Sequence, residues 1–309
     1  MNRYSTEYTQ GNPVKSDTKG MLIGFGGIVI FSLTLPVSKI AVQVLDPYFI
    51  VFGRAALAGL VALAYLIAIR APLPGLATLP GFAWIALGAV FGFPLFITIA
   101  MTQGPSSNGA VILGILPLVT TVLGAVRFKE RPSIGFWLSS VVGTGLVLLY
   151  ALMQGAGQFS FFDGLLIAAC VCAAVGYVEG AKLSAIMKPK IVISWALVFS
   201  LPISLLFSTL SYQTDYINAG LDIWLSFAYL GIFSMLVGFF FWYEGLRIGG
   251  IARVSQVQLL QPFCTLLASS ALLNEPLTLL NLVFAALVVS TVMVGKRMLI
   301  KAPEPTPPL

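Results

Sequence analysis

The sequence has no histidine and is poor in charged residues and cysteine, and each shortage excludes a kind of chemistry. Without histidine the chain has no Ser-His-Asp triad, no histidine-ligated zinc and no histidine proton relay. Charged residues make up 9% of the chain, whereas soluble domains contain roughly 25%. The three cysteines lie in apolar segments at no metal-ligand spacing, which is typical of small core residues. We therefore predict no metal site and no cofactor.

Long apolar segments make up most of the chain. Hydrophobic residues form 58% of it, and they occur in runs of about 20 residues, the length that crosses a bilayer as a helix. The pattern predicts an all-α polytopic membrane protein with ten transmembrane helices. The predicted limits are 20–42, 47–69, 82–101, 108–126, 134–153, 164–185, 191–210, 223–246, 251–273 and 277–296. The polar residues 1–19 and the proline-rich residues 300–309 are predicted to be disordered tails.

The charges are divided unevenly between the predicted loops of the two sides. Every lysine and arginine except Lys39 and Arg54 falls in or beside the loops of one side. The other loops carry only acids: Asp46, Asp163, Asp215, Asp222 and Glu275. Because basic loops stay in the cytoplasm, we expect a multi-pass protein of the inner (plasma) membrane with both termini cytoplasmic. The basic residues form no stripe with aromatic partners, so the net charge of +6 does not indicate nucleic-acid binding.

Two stretches of the chain repeat each other. PLVTTVLGAVRFKERPS begins at Pro117 and PFCTLLASSALLNEPLT at Pro262, so a proline, a threonine and a glutamate recur at an offset of 262 − 117 = 145. The chain therefore divides into halves of five helices, 20–153 and 154–299. An odd number of spans per half inserts the second half upside down. Inverted repeats of this kind are typical of secondary transporters that hold the solute near the midplane.

These features resemble the drug/metabolite transporter superfamily, specifically its EamA-type branch with ten helices. The resemblance covers about residues 20–299, with one EamA-type repeat in each half, and rests on FKERPS and LNEPLT at the ends of the fourth and ninth helices. DPYFIVFGRAALAGL in the second helix and FWYEGLRIGGIARVS between the eighth and ninth support it. The resemblance implies a transporter of amino acids, other metabolites, sugar derivatives or drugs, and no enzyme.

The ninth helix carries the candidate solute-binding residues. Ser255, Gln258 and Gln261 recur every three residues and form a winding stripe on one face, whereas Gln256 points away from it. Pro262 lies near the middle of this helix, and Pro117 near the middle of the fourth. A proline frees the carbonyl four residues earlier, so both prolines predict helix breaks that line a hydrated path. Polar contacts between packed helices are the alternative explanation of the amides.

Four charges lie within or near predicted spans and are costly there unless neutralised, and one of them, Glu244, is expected to pair locally with Arg247. Arg54 either binds a carboxylate or phosphate of the solute, or reaches backbone carbonyls or the interface. Lys39, after Pro36 in a broken-looking helix end, either shapes a gate or extends to the interface. Glu179 is predicted to couple transport to protons, because a carboxyl group at its depth can bind and release one; a local pair with Lys182 is the alternative.

The hydroxyl groups of Tyr177 and Tyr243 complete the predicted binding site, since a buried phenol needs a partner. The leading hypothesis is a secondary active transporter of small metabolites (amino acids, related solutes or drugs) that works by alternating access, with proton-coupled export. An uncoupled facilitator or channel-like permease is the alternative, and an intramembrane enzyme is a distant third. The expected partners are the solute and the lipid bilayer, and a homodimer is left open.

Overall fold

The computed structural model describes residues 13–103, 113–128, 131–153, 161–273, 277–298 and 300–301. Within these ranges the chain forms ten helical spans, which we number α1 to α10. The first five are α1 (Pro13–Ser32 and Thr34–Ala41), α2 (Pro47–Ala68), α3 (Leu79–Ile85, a π-helical stretch Ala86–Gly92, and Phe93–Gln103), α4 (Leu116–Phe128) and α5 (Ile134–Met153).

The other five spans are α6 (Phe161–Ser184), α7 (Pro189–Leu210), α8 (Leu221–Ala228, a π-helical stretch Tyr229–Val237, and Gly238–Gly249), α9 (Ile251–Ser255, a 3-10 stretch Gln256–Leu260, and Gln261–Leu273) and α10 (Leu279–Arg297). Short 3-10 turns cover Leu76–Thr78 and Thr214–Asn218. Two-residue strands, β1 (Arg131–Pro132) and β2 (Ile300–Lys301), pair antiparallel. The predicted all-α class with ten helices is confirmed.

By length and composition, six of the described spans can cross a membrane. They belong to α1, α2, α3, α6, α7 and α8 and contain 21 to 29 residues, while α4, α5 and α10 are shorter apolar helices. Large apolar side chains on the outer faces are exposed, for example Ile67 at 68% and Leu138 at 61%. A soluble surface rarely carries so many such side chains, and a surface in lipid requires them.

The helices of the two halves pack in matching pairs. In chain order, α1 to α5 correspond to α6 to α10. Helix α1 packs on α8, and its counterpart α6 packs on α3; α2 packs on α7, α4 on α9, and α5 on α10. Each contact of one half therefore has its equivalent in the other, as a pseudo-twofold relation between the halves requires. The opposite insertion of the halves in the membrane stays a prediction.

Irregular helix segments also recur at matching places. The π-helical stretches occur in α3 and in its counterpart α8. Pro117 and Pro262 each occupy the second residue of a helix that starts again, in α4 and in α9. Proline is tolerated there because the first turn of a helix has unbonded N–H groups in any case. The repeat seen in the sequence is thus a repeat of backbone conformation.

Helix α1 is broken where the prediction had one continuous helix. Pro36 has no N–H to bond the carbonyl of Ser32. The first part of α1 ends at Ser32, and the second begins after a turn at Leu33, whose carbonyl accepts the N–H of Val37 at 3.0 Å. The counterpart α6 runs unbroken from Phe161 to Ser184. The break gives the first half a feature that the second lacks.

Small residues bring the paired helices into backbone contact. A β-carbon on Gly27 of α1 would lie 3.0 Å from the carbonyl oxygen of Gly238 of α8. A β-carbon on Gly88 of α3 would lie 2.9 Å from the backbone nitrogen of Gly176 of α6. Such approaches are available only to residues without side chains, and they are a usual way for membrane helices to associate.

Contacts among the loops bring the basic segments to one end of the bundle. The pairing of β1 with β2 joins the α4–α5 loop to the segment after α10. Arg253, at the start of α9, donates to the carbonyl of Met298 at 2.9 Å. At the opposite end, the hydroxyl of Tyr216 accepts the N–H of Asp46 at 2.9 Å, and burial raises the pKa of this phenol. The predicted basic loops therefore contact one another at one end of the bundle, and the predicted acidic loops contact one another at the opposite end.

Candidate solute-binding site

The predicted stripe on α9 is turned into the protein. Ser255 is fully buried and Gln258 is 2% exposed, while Gln261 is partly buried. The hydroxyl oxygen of Ser255 lies 2.8 Å from that of Thr121 on α4, so this member of the stripe joins the two halves. Neither the Oε1 nor the Nε2 atom of Gln258 has a hydrogen-bond partner within the described part of the chain. Gln258 is therefore a buried member of the stripe whose side-chain amide is unpaired among the described residues.

The break in α9 differs in one detail from the prediction. Pro262 was expected to free the carbonyl of Gln258, but this carbonyl accepts the N–H of Gln261. The stretch Gln256–Leu260 has tightened into a 3-10 helix, which shifts each bond by one residue and leaves no orphan at that position. The carbonyl of Gln261, the first residue after the 3-10 stretch, lies 3.4 Å from the hydroxyl of Ser32, which donates to the carbonyl of Ile28 at 2.7 Å. The breaks of α1 and α9 thus touch.

Gln256, which was left out of the stripe, contacts neighbouring helices. Its Nε2 donates to the hydroxyl of Ser140 on α5 at 2.7 Å. A β-carbon on Gly295 of α10 would lie 2.8 Å from the same Nε2, so the side chain fills the junction of α5, α9 and α10. The two glutamines therefore differ in their contacts: Gln256 bonds to Ser140 through Nε2 while its Oε1 has no partner among the described residues, and neither side-chain atom of Gln258 has one.

Arg54 is buried without a counter-ion. Its side chain is 3% exposed, and neither Nε nor Nη1 has a hydrogen-bond partner among the described residues. The backbone around it touches the π-helical stretch of α8, since a β-carbon on Gly231 would lie 3.1 Å from the carbonyl oxygen of Arg54. One turn further along α8, Ser234 lies within 2.8 Å of Thr34, hydroxyl to hydroxyl, just after the break in α1. Arg54 is therefore near the irregular segments of α1 and α8.

Glu179 has a partner that the sequence did not reveal. Its Oε1 accepts from Nε of Arg127 at 2.6 Å, while the predicted partner Lys182 lies at 3.9 Å from Oε2. Arg127 belongs to α4 and Glu179 to α6, so the bridge joins the two halves at the basic end. A pair separated by 52 residues has no signature in local spacing. In the sequence, the only indication of this pair was that Arg127 and Glu179 both lie near the basic ends of their predicted helices.

The remaining predicted residues divide between packing and surface. Tyr243 is fully buried and donates its hydroxyl to the carbonyl of Gly176 at 3.0 Å, so this phenol fastens α8 to α6. Tyr177 is buried against the rings of Phe239 and Trp242, with ring centroids 6.0 and 5.3 Å away. Lys39 is exposed in the second part of α1. Packing contacts are thus visible for Tyr243 and Tyr177. The roles of the two tyrosines in solute binding and of Lys39 in gating stay predictions.

Several buried polar atoms without partners went unnoticed in the sequence. Besides Gln258 and Arg54, the described residues include buried polar atoms of Ser38, Thr98 and Trp242 that make no hydrogen bond. They lie on α1, α3 and α8, helices that pair across the halves. Their types gave no signal, because serine, threonine and tryptophan in membrane helices usually pack or bond locally. Among the described residues, no three His, Cys, Asp or Glu side chains are grouped so as to hold a metal ion.

Ten helices in two matching halves, with broken helices and unpaired buried polar groups where the halves meet, define a polytopic membrane protein of the transporter type. Residues 18–152 and 160–294 each match the EamA-like transporter family. The chain belongs to this family and is a membrane transporter.

The relatives agree with this assignment. The uncharacterized transporter YdeK of Bacillus subtilis (strain 168) is 42% identical over 258 residues, which is 84% of this chain and 90% of YdeK. The uncharacterized transporter YyaM of the same organism is 24% identical over 88% of this chain and 91% of its own length. A solved crystal structure with 18% identity superposes with a TM-score of 0.75 over 90% of this chain and 98% of its own, which shows a shared fold.

Proposed function

We propose that this protein is a secondary active transporter that carries a small metabolite, an amino acid, a related solute or a drug, by alternating access. The solute sits where the breaks of α1 and α9 meet, beside Gln258, with Ser255, Gln261, Tyr177 and Tyr243 around it. The observation that carries the proposal is the buried amide of Gln258, with two polar atoms and no partner within the described residues. An amide offers both a donor and an acceptor, as recognition of a polar solute requires.

The energetic argument favours a ligand at this position. Leaving a buried donor or acceptor unsatisfied costs about 1–3 kcal/mol. In the hydrocarbon region lipid cannot supply a partner, so such a group persists where it faces a wet cavity. The alternative, that the amides only glue helices together, fits Gln256, which has found Ser140.

We infer that the solute is exported in exchange for protons through Glu179. The bridge from Glu179 to Arg127 joins α6 to α4 across the halves at 2.6 Å. A proton on Glu179 removes the negative charge and with it the attraction that holds these helices together. Proton binding would then be linked to separation of α4 from α6 at the basic end, which is what coupling requires. Lys39 and the breaks at Pro117 and Pro262 are the proposed moving parts.

An uncoupled facilitator is the second candidate, and one observation favours it. Glu179 lies near two cations, 2.6 Å from Arg127 and 3.9 Å from Lys182. A carboxylate held in this way releases its cations with difficulty, and the described spans contain few other acids. In that case the bridge would be a fixed tie between α4 and α6, and the solute gradient alone would drive transport.

We further propose that the basic end of the bundle faces the cytoplasm, so that both termini are cytoplasmic and the protein lies in the inner membrane. The pairing of β1 with β2 and the contact of Arg253 with Met298 support a single basic end. Positively charged loops are retained on the cytoplasmic side during insertion.

The solute site is tested by transport in proteoliposomes. Purified protein is reconstituted and screened for saturable uptake of labelled amino acids, sugars and cationic drugs. Gln258→Leu should reduce uptake of the transported solute at least about tenfold, because the leucine cannot replace a hydrogen bond to a solute. Gln213→Leu, at an exposed position before Thr214–Asn218, is the matched control. Equal uptake by the two variants would place the solute elsewhere.

The coupling is tested separately with two glutamates that both lie in ion pairs. Glu179→Gln should abolish the acceleration of uptake by an imposed pH gradient, while downhill exchange continues. Glu244→Gln is the control, because Glu244 pairs within α8 with Arg247 at 2.7 Å and joins no other helix. If Glu179→Gln still responds to the gradient, the uncoupled facilitator becomes the better description.

A further inference from the structure

We propose that the transported solute carries a single carboxylate and that Arg54 binds it. This inference rests on the proposed function and narrows its substrate class to organic monoanions. The argument uses the surroundings of Arg54, the distribution of acids in the described residues, and the position of Arg54 relative to the irregular helix segments.

Arg54 lies deep in the protein and keeps its donors unused. The residue is 3% exposed, and Nε and Nη1 have no hydrogen-bond partner within the described residues. Both atoms belong to a planar guanidinium, which binds the two oxygens of a carboxylate through Nη2 paired with either Nε or Nη1. A buried ion without a counter-ion costs several kcal/mol. A carboxylate on the solute removes that cost each time it binds.

No acidic side chain of the described residues is left to serve Arg54. The acids whose side chains the structure describes are Asp46, Glu179, Asp215, Asp222 and Glu244, and none of them forms an ion pair with Arg54. Glu179 pairs with Arg127 and Glu244 with Arg247 at the basic end.

Asp46 belongs to the same helix as Arg54 but caps its start. Its Oδ1 accepts the N–H groups of Tyr48 and Phe49 at 2.8 and 3.3 Å. It precedes Arg54 by eight residues, about 12 Å along a helix. None of the acids whose side chains are described is therefore the counter-ion of Arg54.

The position of Arg54 connects it to the proposed solute site. It packs by its backbone on the π-helical stretch of α8 at Gly231. The same stretch contacts α1 through Ser234 and Thr34, and α1 contacts the break of α9 through Ser32 and Gln261. Irregular helix segments of this kind occur frequently at functional sites. A solute that bridges Arg54 and Gln258 would touch three of them.

The number of cations indicates which anion is bound. Phosphate esters carry close to two negative charges at neutral pH, and proteins bind them with clusters of cations. Among the described residues the buried site offers one guanidinium, which a carboxylate neutralises. A zwitterion would also need a carboxylate for its ammonium group, and both glutamates of the described spans already lie in ion pairs. The structure therefore favours a monoanion over an amino acid.

The probes for the experiment are matched pairs of small carboxylates and their primary amides, covering aliphatic, aromatic and hydroxy acids. Thermal stabilisation of purified full-length protein gives the affinity for each compound. At least one carboxylate should stabilise the protein where its amide does not. Arg54→Gln should lower the affinity for that carboxylate at least about 30-fold, which is the loss expected when a buried charged pair loses one partner.

Two further variants make the result decisive. Arg297→Gln, at an exposed position at the end of α10, removes the same charge and should leave the affinity unchanged. Arg54→Lys keeps the charge without the fork, so it should retain the preference for carboxylate at lower affinity, even if Arg54→Gln fails to fold. A panel in which no carboxylate exceeds its amide overturns the proposal, and so does an affinity that survives Arg54→Gln.

The outcome also separates this proposal from the proposed function. Suppose that neutral solutes are bound and transported, that Gln258→Leu abolishes their binding, and that Arg54→Gln leaves it unchanged. That result would contradict the proposal of an anionic solute and would support the proposed transport site. An absence of saturable uptake for every bound compound would instead contradict the transport site.

Discussion

Gly180 is the residue where one added carbon should disturb the contact between α6 and α8 most. The nearest atoms to a β-carbon there are in the ring and hydroxyl of Tyr243, whose hydroxyl donates to Gly176 at 3.0 Å. Gly180→Ala should therefore destabilise the protein by about 1–3 kcal/mol, the usual cost of overpacking. Thermal unfolding in detergent measures the change.

The same helix provides the control for this substitution. A β-carbon on Gly164 of α6 meets nothing within 4 Å among the described residues. Gly164→Ala should leave the protein as stable as before, or slightly more stable, because alanine favours the helix. If the two variants unfold at the same temperature, the contact between Tyr243 and α6 is looser than the geometry indicates.

Single residues show what local sequence reveals and what it does not. The depth of Glu179 and its need for a partner were readable from its place in an apolar run. Its partner was not, because Lys182 lies one turn away in the sequence while Arg127 approaches from α4 only after folding. The burial of Ser255 and Gln258 was also predicted, since polar side chains in a membrane helix avoid lipid.

Among the elements, the prolines were the most informative residues. Pro117 and Pro262 predicted breaks in α4 and α9, because a missing N–H is a property of the residue itself. The 3-10 form of Gln256–Leu260 was not predictable, since the choice of bond partner depends on packing against neighbouring helices. The π-helical stretch of α3 precedes Pro94, a signal that was overlooked, whereas that of α8 contains no proline at all.

The break in α9 leads to a prediction about Pro262. Pro262→Ala adds an N–H that can bond to the carbonyl of Gln258 and extend the α-helix through the 3-10 stretch. The gain in stability should stay below the ~3 kcal/mol of a mid-helix proline, because Pro262 already lies in a first turn. Transport should nevertheless become slower, since the break shapes the solute site. Uptake rates and thermal unfolding together measure the two effects.

Pro202 is the matched control for Pro262. It lies inside α7, is exposed, and interrupts no described helix. Pro202→Ala should leave uptake unchanged. If both alanine variants transport at the wild-type rate, the break at Pro262 is a packing detail with no part in the cycle.

At the scale of the whole molecule, the distribution of charge predicts its orientation. Ile186, in the loop after α6, is 70% exposed at the basic end, and Ile217, in the loop after α7, is 72% exposed at the acidic end. In a background without the three native cysteines, Ile217→Cys should react with a membrane-impermeant maleimide on intact cells. Ile186→Cys should react only after lysis. The reverse pattern would place both termini outside.

The architecture explains why the repeat could be read from sequence and the packing could not. The prolines of the repeat could be matched in the sequence because a proline acts on the backbone next to it, whereas Glu130 and Glu275 lie outside the described residues. The pairing of α1 with α8 and of α6 with α3 depends on surfaces that small residues such as Gly27 and Gly88 leave open. Among the described residues, Gly75, Gly145 and Gly164 have no neighbouring atom within 4 Å of their β-carbon position, so the presence of glycine alone does not identify a packing surface.

The seam between α4 and α9 should open during transport if the two halves move against each other. The hydroxyl oxygens of Thr121 and Ser255 lie 2.8 Å apart there, close enough for cysteines at both positions to form a disulfide. In a background without native cysteines, oxidation of Thr121→Cys/Ser255→Cys should slow uptake at least about tenfold, and a reductant should restore it. Each single-cysteine variant should be insensitive to the oxidant. A disulfide confirmed by mass spectrometry in protein that still transports at its reduced rate would mean that this seam stays closed, and the moving surface would have to be sought between α1 and α8 or α3 and α6.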